Sequence, residues 1–430
     1  MKLPWSNTMI LRGHASSSGR ILVIRRTRSV FRIVLAAIAS SIILAGLPAT
    51  AAQALPPDAD EIAQRIRQGN ASIRQDTSAG KKASSKRKVR YLQSCDELRK
   101  QRKNSSTRSK KKVACSTGPK MRTAAANPEG GVPPGVPDWC KDAGLGWYAA
   151  TRFNQCTWRT EGIEWWAGDF VVGGIDFTLY NDIVTVWNEG AFIFGDHVWA
   201  YNEWGEWEPD MLLASVAVCS ANCTIIAAPP NKDLQLRTWI QFNTVMRSTV
   251  AANAVETLDP ASGLIWDGPA SDDDVEYVTE GPSDLRCDNG LLKGTDNEGC
   301  VMANAWPTLT YKGSEWDEIA PHISRSQAAG SPGTPGVEPL HRMYDDADAA
   351  QNRRDACSFI TGSRPPNSDC DEYPMAHTYE GAYTCGCDDF TVEWVDSSQN
   401  QLAGQRYGDF GREQRLLDND PFFVYADLSS

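Results

Sequence analysis

Histidine is scarce in this chain, with five among 430 residues. No C-x-x-C pair occurs either, so the ligand spacing of a structural zinc site is missing. Lysine is absent from residue 341 onward, where seventeen acids face seven arginines. That balance is poor for holding a phosphate backbone unless a cation helps. Beyond the first fifty residues no apolar run approaches membrane-spanning length. Clean helical periodicity is scarce between residues 139 and 284, which turns the reading of that region toward strands.

What is present begins with an export signature. Arg20, Arg25, Arg26, Arg28 and Arg32 precede the run "IVLAAIASSIILAGL", and small residues follow at Ala52 and Ala54. The pattern is that of a cleaved signal covering residues 1–54, with a mature start near Ala52 or Leu55; an uncleaved anchor is the competing reading. After cleavage no stable membrane insertion is expected, and the destination is extracellular. Twelve cysteines, an even number, then read as disulfides. Cys95/Cys115, Cys140/Cys156, Cys219/Cys223 and Cys287/Cys300 are close enough to pair locally. Cys357, Cys370, Cys385 and Cys387 form a C-terminal set, in which Cys357–Cys370 is the leading pair and C-G-C is an unusual spacing for two separate bridges.

The net charge of −11 hides an asymmetry: residues 62–122 hold nineteen Lys/Arg against three acids. Residues 55–135 are therefore expected to be a basic, largely disordered segment, either a spacer or an attractor of polyanions. From residues 136 to 295, short β-favouring runs such as "GDFVVGGIDFTLY" and "SVAVCS", separated by Gly, Asn and Asp, predict an antiparallel, sandwich-like β module. Its crowded tryptophans (Trp165, Trp166, Trp187, Trp199, Trp204 and Trp207) are expected mainly in the core, with a carbohydrate platform as the alternative. "DPASGLIWDGPASDDD", residues 259–274, reads as a loop leading out of the module. Residues 296–430 mix strands ("PTLTYK", "DDFTVEWVD", "PFFVYAD") with short helices ("WDEIAPHISRSQAA", "MYDDADAAQNRRDACSF") and predict an α+β domain.

The stretch "CDEYPMAHTYEGAYTCGC", residues 370–387, crowds Asp371, Glu372, His377 and Glu380 around Pro374. Pro374 suits the first turn of a helix, which would place Asp371 and Glu372 just before it and Gly381 at its end. Acids near a helix N-terminus are electrostatically favourable, but Glu380 near the other end opposes the dipole. Several acids brought together fit a hard divalent cation, Mg²⁺ or Mn²⁺, at a hydrolytic site.

"DEYPMAHTYEG" resembles the signature of the NucA/NucB family of secreted bacterial deoxyribonucleases. "LTYKGSEWDEIAPHI", "QNRR" and "SSQNQLAG" follow in that family's order, and the likeness covers roughly residues 300–427. The resemblance implies hydrolysis of DNA phosphodiesters by a divalent-metal endonuclease without sequence preference. It makes Asp371 a general base or metal ligand, Glu372 a ligand or orienting partner, and Glu380 the second acidic site. Asn400, and with it Asn352, would meet the substrate or complete the metal shell. Arg353 would stabilise developing charge, and His322 would donate to the leaving oxygen or serve structure alone. His377 matches no family histidine and is expected to be non-catalytic. Two other classes stay open: an exported antibacterial toxin with a cognate immunity or inhibitor protein, and a wall- or matrix-binding protein whose nuclease domain is degenerate.

Overall fold

A computed structural model describes residues 90–91, 94–103, 112–118, 140, 147–206, 212–219, 222–267, 275–282 and 284–429. The expected signal segment and much of the basic segment lie outside these residues.

The described residues open with β1 (Arg90–Tyr91), α1 (Cys95–Lys103) and β2 (Lys112–Ser116). β3 (Tyr148–Thr151), β4 (Asn154–Ala167), β5 (Phe170–Val186) and β6 (Glu189–Gly205) follow. Then come β7 (Leu212–Cys219), β8 (Cys223–Ala227), β9 (Lys232–Asp233), β10 (Trp239–Ser248), β11 (Ala254–Thr257), β12 (Pro260–Asp267) and β13 (Val275–Glu280). Alternation of apolar and polar residues gives β4, β5 and β6 one face that must be covered. The sheet ordered β2-β4-β5-β6-β10-β8, with β3 on β4, is covered by a second sheet ordered β1-β13-β12-β7-β9. Between them lie Ile163, Trp165, Phe177, Leu179, Val198 and Phe242 from the first sheet, against Leu213, Leu264 and Trp266 from the second. The expected β-rich, mainly antiparallel module is therefore present, with a core shared by two sheets.

Three details differ from the expectation. The reading of residues 259–274 as a loop fails at β12, which lies between β7 and β13, because "ASGLIW" carries the alternation that buries Leu264 and Trp266. The basic segment is ordered where it is described: β2 pairs with β4, and the Cys95–Cys115 bridge ties α1 to β2. The tryptophans divide. Trp165, Trp166 and Trp199 are buried, Trp187 is half-buried, and Trp204 is exposed and lies over Gly174. A Cβ at Gly174 would stand 2.7 Å from the Trp204 ring, so the close approach requires glycine. Trp207 lies outside the described residues.

β14 (Leu285–Asn289) and β15 (Glu298–Met302) form a hairpin clasped by Cys287–Cys300, with β11 alongside. The boundary expected at 295/296 lies between the two strands of this hairpin. The α+β region comprises β16 (Thr308–Lys312), α2 (Ile319–Ala328), β17 (Leu340–His341), α3 (Asp346–Cys357), β18 (Ser368–Tyr373), α4 (Ala382–Cys385), β19 (Thr391–Asp396), α5 (Ser397–Glu413) and β20 (Pro421–Asp427). β20 is the centre of a three-stranded sheet, parallel to β16 and antiparallel to β17, while β18 and β19 form a separate antiparallel pair. Leu309, Ile323, Tyr373, Val395, Ala403, Phe410 and Phe422 make the shared core.

Buried ion pairs join the α+β region to the sandwich side. Arg415 forks onto Asp288, Nε to Oδ2 at 2.7 Å and Nη2 to Oδ1 at 2.8 Å, and also donates to the carbonyls of Asn297 and Trp187. Asp420 accepts from both Arg152 and Arg286. Arg415 adopts φ 46°, a left-handed conformation uncommon outside glycine, and its donors hold it there.

Candidate active site

β18 ends where Pro374, which has no N–H to offer a ladder, follows Tyr373. The expected helix opening at Pro374 is absent: residues 374–380 form turns with one isolated bridge at Thr378, Gly381 caps the start of α4, and Asp371 and Glu372 lie in the strand before Pro374. Consecutive strand residues face opposite sides, which sends the two acids to different helices. Asp371 and its cross-strand partner Glu393 face α2: Asp371 Oδ2 lies 2.6 Å from His322 Nδ1, and Glu393 accepts from Arg325 Nε at 2.9 Å. Cys370 and Glu372 face α3, where Cys370 is bridged to Cys357 and Glu372 accepts from Arg353 Nε at 3.3 Å. The leading disulfide pair is thus formed.

His322 is 0% exposed and both ring nitrogens are engaged, the second with Thr391 Oγ1 at 2.8 Å. With a neutral ring, the threonine hydroxyl donates to Nε2 and Nδ1–H donates to Asp371, a tautomer assigned from these partners. The line Thr391–His322–Asp371 fixes the carboxylate and leaves Oδ1 without a protein partner among the described residues. Glu372 is buried, with Arg353 Nε at 3.3 Å and its own backbone N–H as donors. Burial pushes its carboxyl up to about 7, Arg353 opposes the rise and Asp371 adds to it. The Arg353 guanidinium is more than half exposed. Asn400, in the first turn of α5, donates to the Cys370 carbonyl at 3.2 Å, beside Asp371 and Glu372 in sequence, while its Oδ1 has no described partner.

Glu380 stands apart from this group. Its two oxygens receive the backbone N–H and ring Nδ1 of His341 at 2.9 and 2.7 Å. Among the described residues, Asp371, Glu372 and Glu380 do not form a cluster of three ligand atoms within 4.8 Å; the sets that meet that test are Cys95/Cys115/Glu164 and Cys357/Cys370/Glu372. In both sets the cysteines are disulfide-bonded and offer no thiolate. Asn352 is buried and spends its amide on the carbonyls of Ala376 and Thr378, and its oxygen on the Tyr383 and Thr384 N–H groups at 2.9 Å. Its geometry is that of a clamp on residues 376–384. His377 lies 3.9 Å from Asp346, its basicity lowered by burial and by the nearby Arg342 and Lys293. Cys385 and Cys387 are bridged to each other.

Sequence reasoning missed Thr391, Glu393 and Arg325. The signal was present: "DDFTVEWVD" alternates, which puts Thr391 and Glu393 on one face, and the i, i+3 spacing of His322 and Arg325 puts both on one side of α2. A hollow of about 500 Å³, lined by residues 290–296 with Tyr344 and Asp346, includes none of the acids named from the sequence.

Residues 336–425 match the family described as Deoxyribonuclease NucA/NucB. The match includes Asp371, Glu372, Glu380, Asn352, Arg353 and Asn400, and it begins after His322. No curated protein matches the chain.

Proposed function

From the match of residues 336–425 to the NucA/NucB deoxyribonuclease family, we propose that the protein is a secreted, divalent-metal-dependent endonuclease that hydrolyses DNA phosphodiester bonds without sequence preference. The observation that carries this reading is the Thr391–His322–Asp371 line. It holds one carboxylate oxygen in place and leaves the other open, as a group that takes a proton from an attacking water requires.

Asp371 is the general base. His322 cannot reach a leaving oxygen while both nitrogens are engaged, so it acts as a positioning residue, and Thr391 positions it in turn. Arg353, tethered through Nε to Glu372, has its remaining donors free to neutralise charge on the phosphoryl group. Glu380 organises His341, and Asn352 holds the segment that carries Glu380.

A resident Mg²⁺ or Mn²⁺ is tested by the donors present. Glu372 is a buried carboxylate, and Asn400 Oδ1 is an open hard oxygen. Both suit an ion held by few protein oxygens, with water and substrate phosphate completing its shell. They do not suit a three-carboxylate cage that includes Glu380. When bound, the ion would supply positive charge to the phosphodiester as it is cleaved. Six disulfides fit export to an oxidising environment, and no described helix is long and apolar enough to cross a membrane.

Plasmid nicking by the purified full chain tests the reading. Activity with Mg²⁺ or Mn²⁺ should vanish in EDTA and return on adding excess ion; nicking that survives EDTA unchanged rejects metal dependence. No nicking under any condition rejects the enzyme.

A further inference from the structure

A cluster of basic residues lies outside the C-terminal region, on α1. α1 is anchored by the Cys95–Cys115 bridge and by buried Leu98. The Arg99 and Arg102 guanidiniums lie 5.5 and 5.7 Å from the Trp166 ring centre. Trp166 stands on β4, directly across from Val113 on β2, so the helix rests on the rim of the larger sheet. With Cys95, Leu98 and Arg102 turned inward, helical spacing turns Lys100 and Lys103 outward. Both lysines are exposed, and no carboxylate pairs with either among the described residues. Arg102 Nη1 is buried and lacks a hydrogen-bond acceptor. Arg99, by contrast, is answered by Asp96 and Glu164.

α1 carries Arg99, Lys100, Arg102 and Lys103 against Asp96 and Glu97, a net positive helix in a chain of net charge −11, and its C-terminal half marks a place for an anion. It complements a catalytic region that has no lysine after residue 341. We propose that α1, through the exposed Lys100 and Lys103, with Arg102 seating the helix on Trp166, is a docking platform for the phosphate backbone of DNA, separate from the cleavage site. The choice of DNA rests on the nuclease reading above. Recognition here is electrostatic and sequence-independent, each lysine meeting a phosphate as a point charge. The disulfide and the tryptophan stack prepay the ordering of the helix, so contact does not have to fold it. Such a platform raises local substrate concentration and leaves the chemical step alone.

The test uses the full chain and a duplex with a phosphorothioate backbone, so that binding is read whether or not cleavage occurs. Anisotropy titrations from 50 to 200 mM NaCl compare the native chain with Lys100→Gln/Lys103→Gln. Loss of two phosphate contacts should make the log–log salt slope shallower by about 2 and weaken binding on the order of tenfold or more. On a cleavable plasmid KM should rise by a similar factor with kcat unchanged. The Lys100→Arg/Lys103→Arg variant should keep the native slope, which separates charge from shape. An unchanged slope and KM overturn the proposal. So does a loss confined to binding of phosphatidylglycerol vesicles, which would assign the helix to a membrane surface. Should the chain prove inactive as a nuclease, the phosphorothioate titration still judges the platform on its own.

Discussion

At the scale of single residues, the site depends on how one carboxylate is held. Asp371→Asn keeps shape and removes basicity, so turnover should fall about a hundredfold or more while the melting temperature moves little; a fully active, folded variant would remove Asp371 from the mechanism. Thr391→Val takes away the hydroxyl that holds His322 Nε2 and leaves Asp371 itself intact. Its expected effect is a smaller loss of kcat with KM kept and a shifted pH profile. A profile identical to the native one would reduce the Thr391–His322 contact to simple packing. Asn352→Ala should strip up to five hydrogen bonds from residues 376–384 and cost several kcal/mol of stability, beyond the roughly 1–3 kcal/mol of a single unsatisfied buried group. The sequence singled out Asp371, His322 and Asn352, and the structure gives each of them a defined set of hydrogen-bond partners. The sequence could not say that two of them are held within the fold, because a residue type in a motif does not reveal which of its atoms are already engaged.

At the scale of elements, the strands and helices of the α+β region were legible where alternation or capping was strong: β16, α2, α3, β19 and β20 all appear where the pattern puts them. The segment at Pro374 was misread because proline fits two settings, the first turn of a helix and the end of a strand, and "SDCDEY" is too short to declare its period. Its partner β19 and the Cys357–Cys370 bridge decide the matter, and both are remote in sequence. A second element-level device crosses the sandwich. Asp196 on β6 is fully buried and accepts from Asn181 on β5, Ser215 on β7 and Ser262 on β12, so it pins one sheet to the other. Burial raises its carboxyl from 3.8 to about 6, against the pull of the two serine hydroxyls. The folded state therefore binds this proton more tightly than the unfolded chain, and the advantage is complete below about 4. It is lost as pH rises through about 6. The melting temperature should fall across that window, and Asp196→Asn should flatten the dependence; a flat native curve would count against the pin.

At the scale of the whole molecule, the β module and the nuclease region are joined by charge out of reach of water. Arg415 and Asp288 are both 0% exposed at their side chains. Arg415→Ala leaves Asp288 buried without its partner and should cost about 3–5 kcal/mol, lowering the melting temperature of the full chain as one transition. Two separate transitions, only one of them shifted, would show that the regions fold independently. None of this was visible in the sequence, since one arginine among 43 basic residues carries no mark of its eventual partner.

The 127 positions between Asp288 and Arg415 also impose an order in time. A chain made and threaded outward from its N-terminus presents the acidic socket first. That socket stays unanswered until Arg415, 127 positions later, emerges. The two regions are thus locked together only after both partners of the pair, and the whole stretch that separates them, have left the ribosome.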